Sequence, residues 1–136
     1  MTLKIIDNGP VRHILIDRPE RRNAVDKHTL HHMADVVEDA GTNPDVRAIV
    51  VSGGTGPCFC AGGDLDVEDP LSVENTASTA DAAARCVTAI TRVPRPVVAA
   101  VHGPAVGGWE YRLRSLPISL SSVPTHISRC RSHRSA

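Results

Sequence analysis

The sequence predicts an α/β fold built on a mainly parallel sheet. Two β-branched runs, "VRAIVV" (46–51) and "PVVAAV" (96–101), each lead into glycine within a few residues. A stretch with helical spacing precedes each run, and strand-like and helix-like segments alternate along the chain, the pattern that parallel strands with crossover helices require.

The elements follow in order. "LKIIDNGPVRHILIDRP" (3–19) divides at Asn8-Gly9 into two short apolar runs, a hairpin-like pair of strands closed by Pro19. In "VDKHTLHHMADVVEDAG" (25–41), Leu30, Met33 and Val37 recur at i, i+3 and i+7 with Ala34 beside them. Asp26 is expected as the N-cap of this helix and Gly41 as its C′ residue. "VRAIVVSGG" is apolar on both faces and reads as a strand covered on both sides. "SVENTASTADAAARCVTAITRV" (72–93) is Ala-rich and helical, with Ala83, Val87 and Ile90 on one stripe and Pro94 and Pro96 as stops. "PVVAAVHG" is a second buried strand. From Tyr111 onward the periodicity is lost: seven serines and five arginines fall among 26 residues, which reads as a disordered tail. The expected organisation is therefore a folded segment, 1–110, and a tail, 111–136.

Composition narrows the function classes. A chain of 136 residues is one domain by length, and with 41% apolar but only 2% aromatic residues its core must come from Val, Ile, Leu and Ala. The net charge of zero hides an asymmetry, because residues 1–110 hold all 15 acids against 10 basic groups while residues 111–136 hold five arginines and no acid. "MTLKIIDNGP" has no signal-peptide pattern, and no apolar run approaches the ~18 residues of a membrane span, so neither export nor a membrane partner is expected. Four cysteines in such a chain read as reduced thiols, which makes the cytoplasm the expected compartment. Cys58-x-Cys60 lacks zinc spacing and a matching second pair, so packing is expected there and no metal. His28 and His32, at i and i+4, are expected on a solvated helix face; His13 and His102, in apolar strands, are expected to be hydrogen-bonded and partly buried. The basic tail has no aromatic platform and few cations, and no nucleic-acid partner is expected.

The chemistry concentrates in two glycine loops, "CAGGDL" (60–65) after the first β-branched run and "GPAVGGWE" (103–110) after the second. Ligands of α/β sheets bind beyond the carboxyl ends of strands. Glycine permits close backbone approach, and two adjacent loops aiming N–H donors at one oxygen constitute an oxyanion hole. Ordinary turn chemistry is the alternative for either loop alone. Neither loop has dinucleotide-fingerprint or P-loop spacing.

"HILIDRPERRNAVD", "RAIVVSGGTGPCFCAGGDL" and "RPVVAAVHGPAVGG" resemble three consecutive signatures of the enoyl-CoA hydratase/isomerase (crotonase) superfamily, in the family's order, across residues 1 to about 108. The resemblance implies a crotonase-like (ClpP/crotonase) spiral of ββα units, incomplete here. It also implies an acyl-CoA thioester ligand, with coenzyme A as part of the substrate and no separate cofactor. Two backbone N–H groups of such a fold stabilise the thioester enolate. The family's first donor precedes the aspartate of A-G-A-D, a position held here by Gly63, in a loop of Ala61, Gly62, Asp64, Leu65 and Asp66 that lines the acyl-CoA site. The second donor matches Gly108, beside Gly107. The segment carrying Arg21, Arg22 and Ala24 lies near the CoA entrance, where Arg21 or Arg22 would meet CoA phosphates.

The implied reaction is hydration of a 2-trans-enoyl-CoA in fatty-acid metabolism. The family's water-activating glutamate follows a G-G-G-x-E pattern, whereas this chain reads Gly107-Gly108-Trp109-Glu110, one residue short. Aligned from the left, the position falls on Tyr111; aligned from the right, Glu110 fits and Gly107 becomes the donor. No acid follows Glu110, so the second glutamate has no counterpart. Truncation or a frameshift after about residue 108 is therefore expected, removing the helices through which the family forms trimers and hexamers. Enoyl-CoA isomerase or thioester hydrolase chemistry, or non-catalytic acyl-CoA binding, are the alternatives.

Overall fold

The computed structural model describes residues 2–54, 56–64, 72–106 and 119–120. Strands β1 (Leu3–Asn8) and β2 (Val11–Ile16) form the expected hairpin, followed by a short 3-10 helix (Pro19–Arg21), α1 (Lys27–Thr42), β3 (Ala48–Gly53), α2 (Val73–Arg92) and β4 (Val97–Ala100). A two-residue strand β5 (Ser119–Leu120) lies parallel beside β4; the rest of the expected tail, 111–118 and 121–136, is outside the described residues. The sheet is mixed, in the order β1-β2-β3-β4-β5, antiparallel between β1 and β2 and parallel from β2 onward.

This strand order explains where the core sits. β2, β3 and β4 advance in one direction across the sheet, and right-handed crossovers then put α1 and α2 on the same face. The residues in register on that face, Ile14, Val51 and Ala99, together with Ile16, Ile49 and Val97, are all buried. They pack with Leu30, Met33, Val37 and Ala40 of α1 and Ala82, Cys86, Ala89 and Ile90 of α2. The opposite face, with Leu15, Val50 and Val98, is only half-buried. β3 is therefore not covered equally on both sides, as its apolar run led us to expect. A β-branched run reports that a strand is central, not which face its crossovers cover.

Two further expectations are corrected by packing. Gly41 is not the C′ residue of α1 but lies in its last turn, and Asn43 caps the helix by donating its N–H to the Asp39 carbonyl at 2.9 Å. A Cβ at position 41 would stand 3.1 Å from Val93 Cγ2 and 3.3 Å from Pro94 Cδ, so the glycine serves a close approach to the end of α2. The buried stripe of α2 is Ala82, Cys86, Ala89 and Ile90, one residue round from the expected Ala83, Val87 and Ile90; Ala83 and Val87 are half-buried. The small residues turn inward because α2 must approach α1, and Arg85 ties the two helices on the outside through Asp35 (2.6 Å) and Glu38 (2.9 Å).

Polar anchors set the remaining geometry. Asp26 caps α1 as expected, accepting from the Thr29 N–H at 2.7 Å and hydroxyl at 2.8 Å. Burial alone would push the Asp26 carboxyl up; the two Thr29 hydrogen bonds, aided by His28 and Arg18, outweigh it and hold the group below the usual carboxylate range. The buried Arg12 guanidinium binds Asp7 of β1 (2.8 and 2.9 Å) and Asp39 of α1 (2.5 Å), pinning the hairpin to the helix and lowering the Asp7 carboxyl. Among the described residues, no helix is long and apolar enough to cross a membrane.

Candidate functional site

Parallel pairing brings the carboxyl ends of β2, β3 and β4 side by side, and the segments leaving them, 17–25, 56–64 and 101–106, continue as neighbours. The middle segment is bound on both flanks. On one flank Ala61 N–H donates to the Arg22 carbonyl (3.0 Å), Val25 N–H to the Gly62 carbonyl (2.9 Å) and Asp64 N–H to the Val25 carbonyl (2.8 Å). On the other, Phe59 N–H donates to the Pro104 carbonyl (3.0 Å) and Val106 N–H to the Cys60 carbonyl (2.8 Å). Phe59 and Cys60 are wholly buried beneath, as is Asn23 beside them. Two short parallel bridges, Val25 with Gly63 and Cys60 with Ala105, thus extend the sheet into the loops.

The direction of the Gly63 amide follows from this clamp. A trans peptide points its C=O and N–H to opposite sides. The peptide joining Gly62 to Gly63 turns its carbonyl to Val25, so its N–H points away from the 17–25 segment, toward the flank on which 101–106 lies. Gly63 is exposed, and its N–H makes no hydrogen bond among the described residues. A donor held by its own backbone and left unpaired at a strand end is the arrangement that anion or oxyanion stabilisation requires.

The glycines divide the work differently from the expectation that both serve close approach. Gly62 has φ +97° and is buried, a conformation that L side chains rarely adopt. Gly63 has no positive φ, and a Cβ built on it meets nothing within 4 Å. Gly103 in the second loop also has a positive φ, +69°, and a Cβ there would collide with the Pro57 carbonyl. Gly103 therefore lets the second loop close onto the first.

The structure brings together Arg22, Ala24, Ala61, Gly62, Gly63 and Asp64 of the expected site. Ala24 is buried; Arg22 is exposed and in the left-handed region, φ +52°, with its carbonyl engaged by Ala61. Asp64, expected to line the ligand site, turns its carboxylate to Arg18 (Nη1–Oδ2 2.6 Å) and is 7% exposed there. Leu65, Gly107, Gly108 and Glu110 lie outside the described residues.

Three residues not singled out for the site build its walls. Arg18 holds Asp64. Asn23, φ +58°, accepts from the Arg18 N–H at 2.8 Å and donates to the Cys58 carbonyl at 2.7 Å, stitching the first segment to the second. His102, half-buried as expected, makes a 2.8 Å hydrogen bond to the Gly56 carbonyl and joins the second to the third. The only signal for Arg18 and Asn23 was their place in "DRPERRNA"; spacing said nothing of their partners. His28 is exposed and His32 half-buried on α1, and among the described residues no group of three or more His, Cys, Asp or Glu could hold a metal. Cys58, Cys60 and Cys86 are buried thiols outside any disulfide; burial pushes Cys60 up to about 11, the bond from Gly62 N–H only partly offsetting it, and pushes Cys86 up to about 12. These thiols are packing groups.

Comparison with known proteins agrees with this geometry. Residues 7–110 match the family model described as enoyl-CoA hydratase/isomerase. A carnitinyl-CoA dehydratase of Proteus mirabilis is 34% identical over 110 residues, covering 79% of this chain and 40% of its own length. A mitochondrial Δ(3,5)-Δ(2,4)-dienoyl-CoA isomerase of Mus musculus is 32% identical over 111 residues, covering 72% of this chain and 33% of its own. Among solved structures, an enoyl-CoA hydratase/isomerase family protein from Hyphomonas neptunium superposes with a TM-score of 0.73 at 29% identity, over 79% of this chain and 42% of that one. The chain thus spans two fifths or less of the length of these two curated relatives.

Proposed function

The chain belongs to the enoyl-CoA hydratase/isomerase family, and from that membership we propose that it binds acyl-CoA thioesters and carries out hydratase-type chemistry on a 2-trans-enoyl-CoA. The exposed, unpaired Gly63 N–H is the observation that carries this reading. When water adds across the enoyl double bond, a carboxylate takes one of its protons as the oxygen bonds to C3, and the double-bond electrons move onto the thioester oxygen as an enolate. The enolate collapses as C2 takes a proton from the carboxylic acid so formed. The negative charge develops on that oxygen, so a fixed N–H aimed at it lowers the barrier; removing one such donor costs about 2.7–4 kcal/mol. In this reading Gly108 supplies the second donor, Glu110 the acid/base, and the exposed Arg22 a cation for the CoA phosphates. The substrate class belongs to fatty-acid metabolism, and the thiols outside any disulfide favour a reducing compartment such as the cytoplasm.

Isomerisation is the second reading, favoured by the isomerase name among the relatives, whereas a dehydratase runs the hydration step in reverse and sides with the first reading. Its negative charge develops on the same thioester oxygen, but as a dienolate formed when a base removes a carbon-bound proton, and an acid then returns a proton to a different carbon. The test is turnover of crotonyl-CoA by the full chain, followed as loss of the conjugated enoyl-thioester absorbance. Turnover abolished by Glu110→Gln is the expected result. Binding of crotonyl-CoA without turnover overturns the hydratase step, and absence of binding by a folded sample overturns the whole proposal.

A further inference from the structure

The Gly63 N–H gains its direction from neighbours, and the residue that locks those neighbours is charged. Asp64 is held at its N–H by the Val25 carbonyl (2.8 Å) and at its carboxylate by Arg18 Nη1 (2.6 Å). The pair is shielded, with Asp64 7% and Arg18 23% exposed, so the contact is a charge-assisted hydrogen bond with little competition from water. Arg18 is itself immobilised. Its N–H donates to the Asn23 side chain at 2.8 Å, and its carbonyl accepts from the N–H groups of Asn23 (2.9 Å) and Arg21 (3.0 Å). Asn23 is fully buried and is fastened in turn to the Cys58 carbonyl at 2.7 Å. A continuous set of contacts therefore runs from the end of β2 to the peptide that carries the unpaired N–H.

We propose that Arg18 is a positioning residue for the oxyanion donor: by gripping the Asp64 carboxylate it holds the Gly62–Gly63 peptide against Val25 and keeps the Gly63 N–H aimed at the ligand. This role rests on the acyl-CoA reading above for its consequence, but not for its geometry. Without Arg18, Asp64 becomes a shielded carboxylate that has lost that cation, and the grip of this flank on residues 61–64 is weakened. A carboxylate that turns away from the vacated position draws residues 62–64 off Val25, and this is the displacement that the proposal predicts. In this role Arg18 acts through Asp64, as a positioning residue and not as a catalytic one.

The test uses the full chain and two readouts. The first is residue-resolved amide hydrogen exchange in Arg18→Gln, Arg18→Lys and Asp64→Asn. The expected result is that Val25 and Asp64 amides exchange about ten- to a hundredfold faster in Arg18→Gln and Asp64→Asn, the span of a charge-assisted hydrogen bond. Val51 and Ala99 in the sheet keep their rates, and Arg18→Lys restores most of the protection. Unchanged rates at Val25 and Asp64, or an equal rise at Val51 and Ala99, overturn the proposal. The second readout is the enolate absorbance of bound acetoacetyl-CoA, a thioester whose ionised form is stabilised by the same donors. Arg18→Gln is expected to lower the bound enolate fraction about tenfold or more while the Kd for free coenzyme A changes less than about twofold. A parallel loss of both overturns the positioning role. If wild-type chain takes up no acetoacetyl-CoA, the acyl-CoA reading falls and the exchange rates alone decide the claim. Should Arg18→Gln fail to fold, Asp64→Asn, which keeps size and hydrogen-bonding capacity, carries the same comparison.

Discussion

Adjacent glycines in the first loop respond oppositely to the same added methyl group. Gly62→Ala forces an L side chain onto φ +97°, a sparsely populated backbone region whose occupation costs about 1–3 kcal/mol. If the backbone relaxes to escape that strain, the Val25 N–H to Gly62 carbonyl bond is lost instead, at about 1 kcal/mol, with the bridge it belongs to. Gly63→Ala meets neither penalty: its φ is not positive and its Cβ finds open space. There the substitution acts by restricting the unfolded chain, which stabilises by about 0.4–1 kcal/mol. The two variants should therefore lie at least about 1.4 kcal/mol apart, with Gly62→Ala below wild type and Gly63→Ala above it. Equilibrium urea unfolding of both, followed by far-UV circular dichroism, measures the gap provided m is unchanged between them. Equal midpoints, or a Gly63→Ala variant less stable than Gly62→Ala, would refute the assignment of strain to position 62.

Other expectations concern the walls of the site and the helices behind it. Asn23→Ala removes two side-chain hydrogen bonds, the one it accepts from Arg18 N–H and the one it donates to the Cys58 carbonyl, so unfolding should show a loss of about 2–4 kcal/mol; a loss below about 1 kcal/mol contradicts the stitching role. Asp26→Ala removes the N-cap of α1 and should cost about 1 kcal/mol near neutral pH. Because the folded carboxyl titrates below its unfolded value of about 3.9, this stabilisation is complete above that pH and is lost as pH falls through the folded value. Paired melts of wild type and Asp26→Ala should then converge as pH falls through the folded value, and a gap that stays constant into acid would contradict the sign. With thiols pushed up to about 11 and about 12, Cys60 and Cys86 should resist maleimide at about pH 8, labelling at least about a hundredfold more slowly in the native chain than in urea. Mass mapping of labelled peptides checks this, and equal rates would mean the burial is wrong.

Element type and order were legible because each rests on local patterns. Helical spacing identified α1, β-branched runs identified β3 and β4, and Asn8-Gly9 identified the hairpin. Asp26 could be recognised as a cap because capping is a relation between residues three apart. The Gly62-Gly63 pair stood out for the same reason, as permissive backbone directly after a strand.

What the chain alone could not reveal depends on residues far apart in sequence. The face of β3 that is buried follows from the direction in which the crossovers advance, and a single strand does not encode it. The inward stripe of α2 was decided by α1, whose approach selects small residues over the larger ones beside them. The partnership of Arg18 with Asp64, 46 positions apart, exists only because parallel pairing sets the ends of β2 and β3 side by side. The amino-acid sequence thus determined which segments are strands, helices and glycine loops, since those preferences act within a few residues. Only the tertiary structure decided that the Gly63 amide faces outward unpaired, because its direction is set by hydrogen bonds to a segment nearly forty residues earlier in the chain.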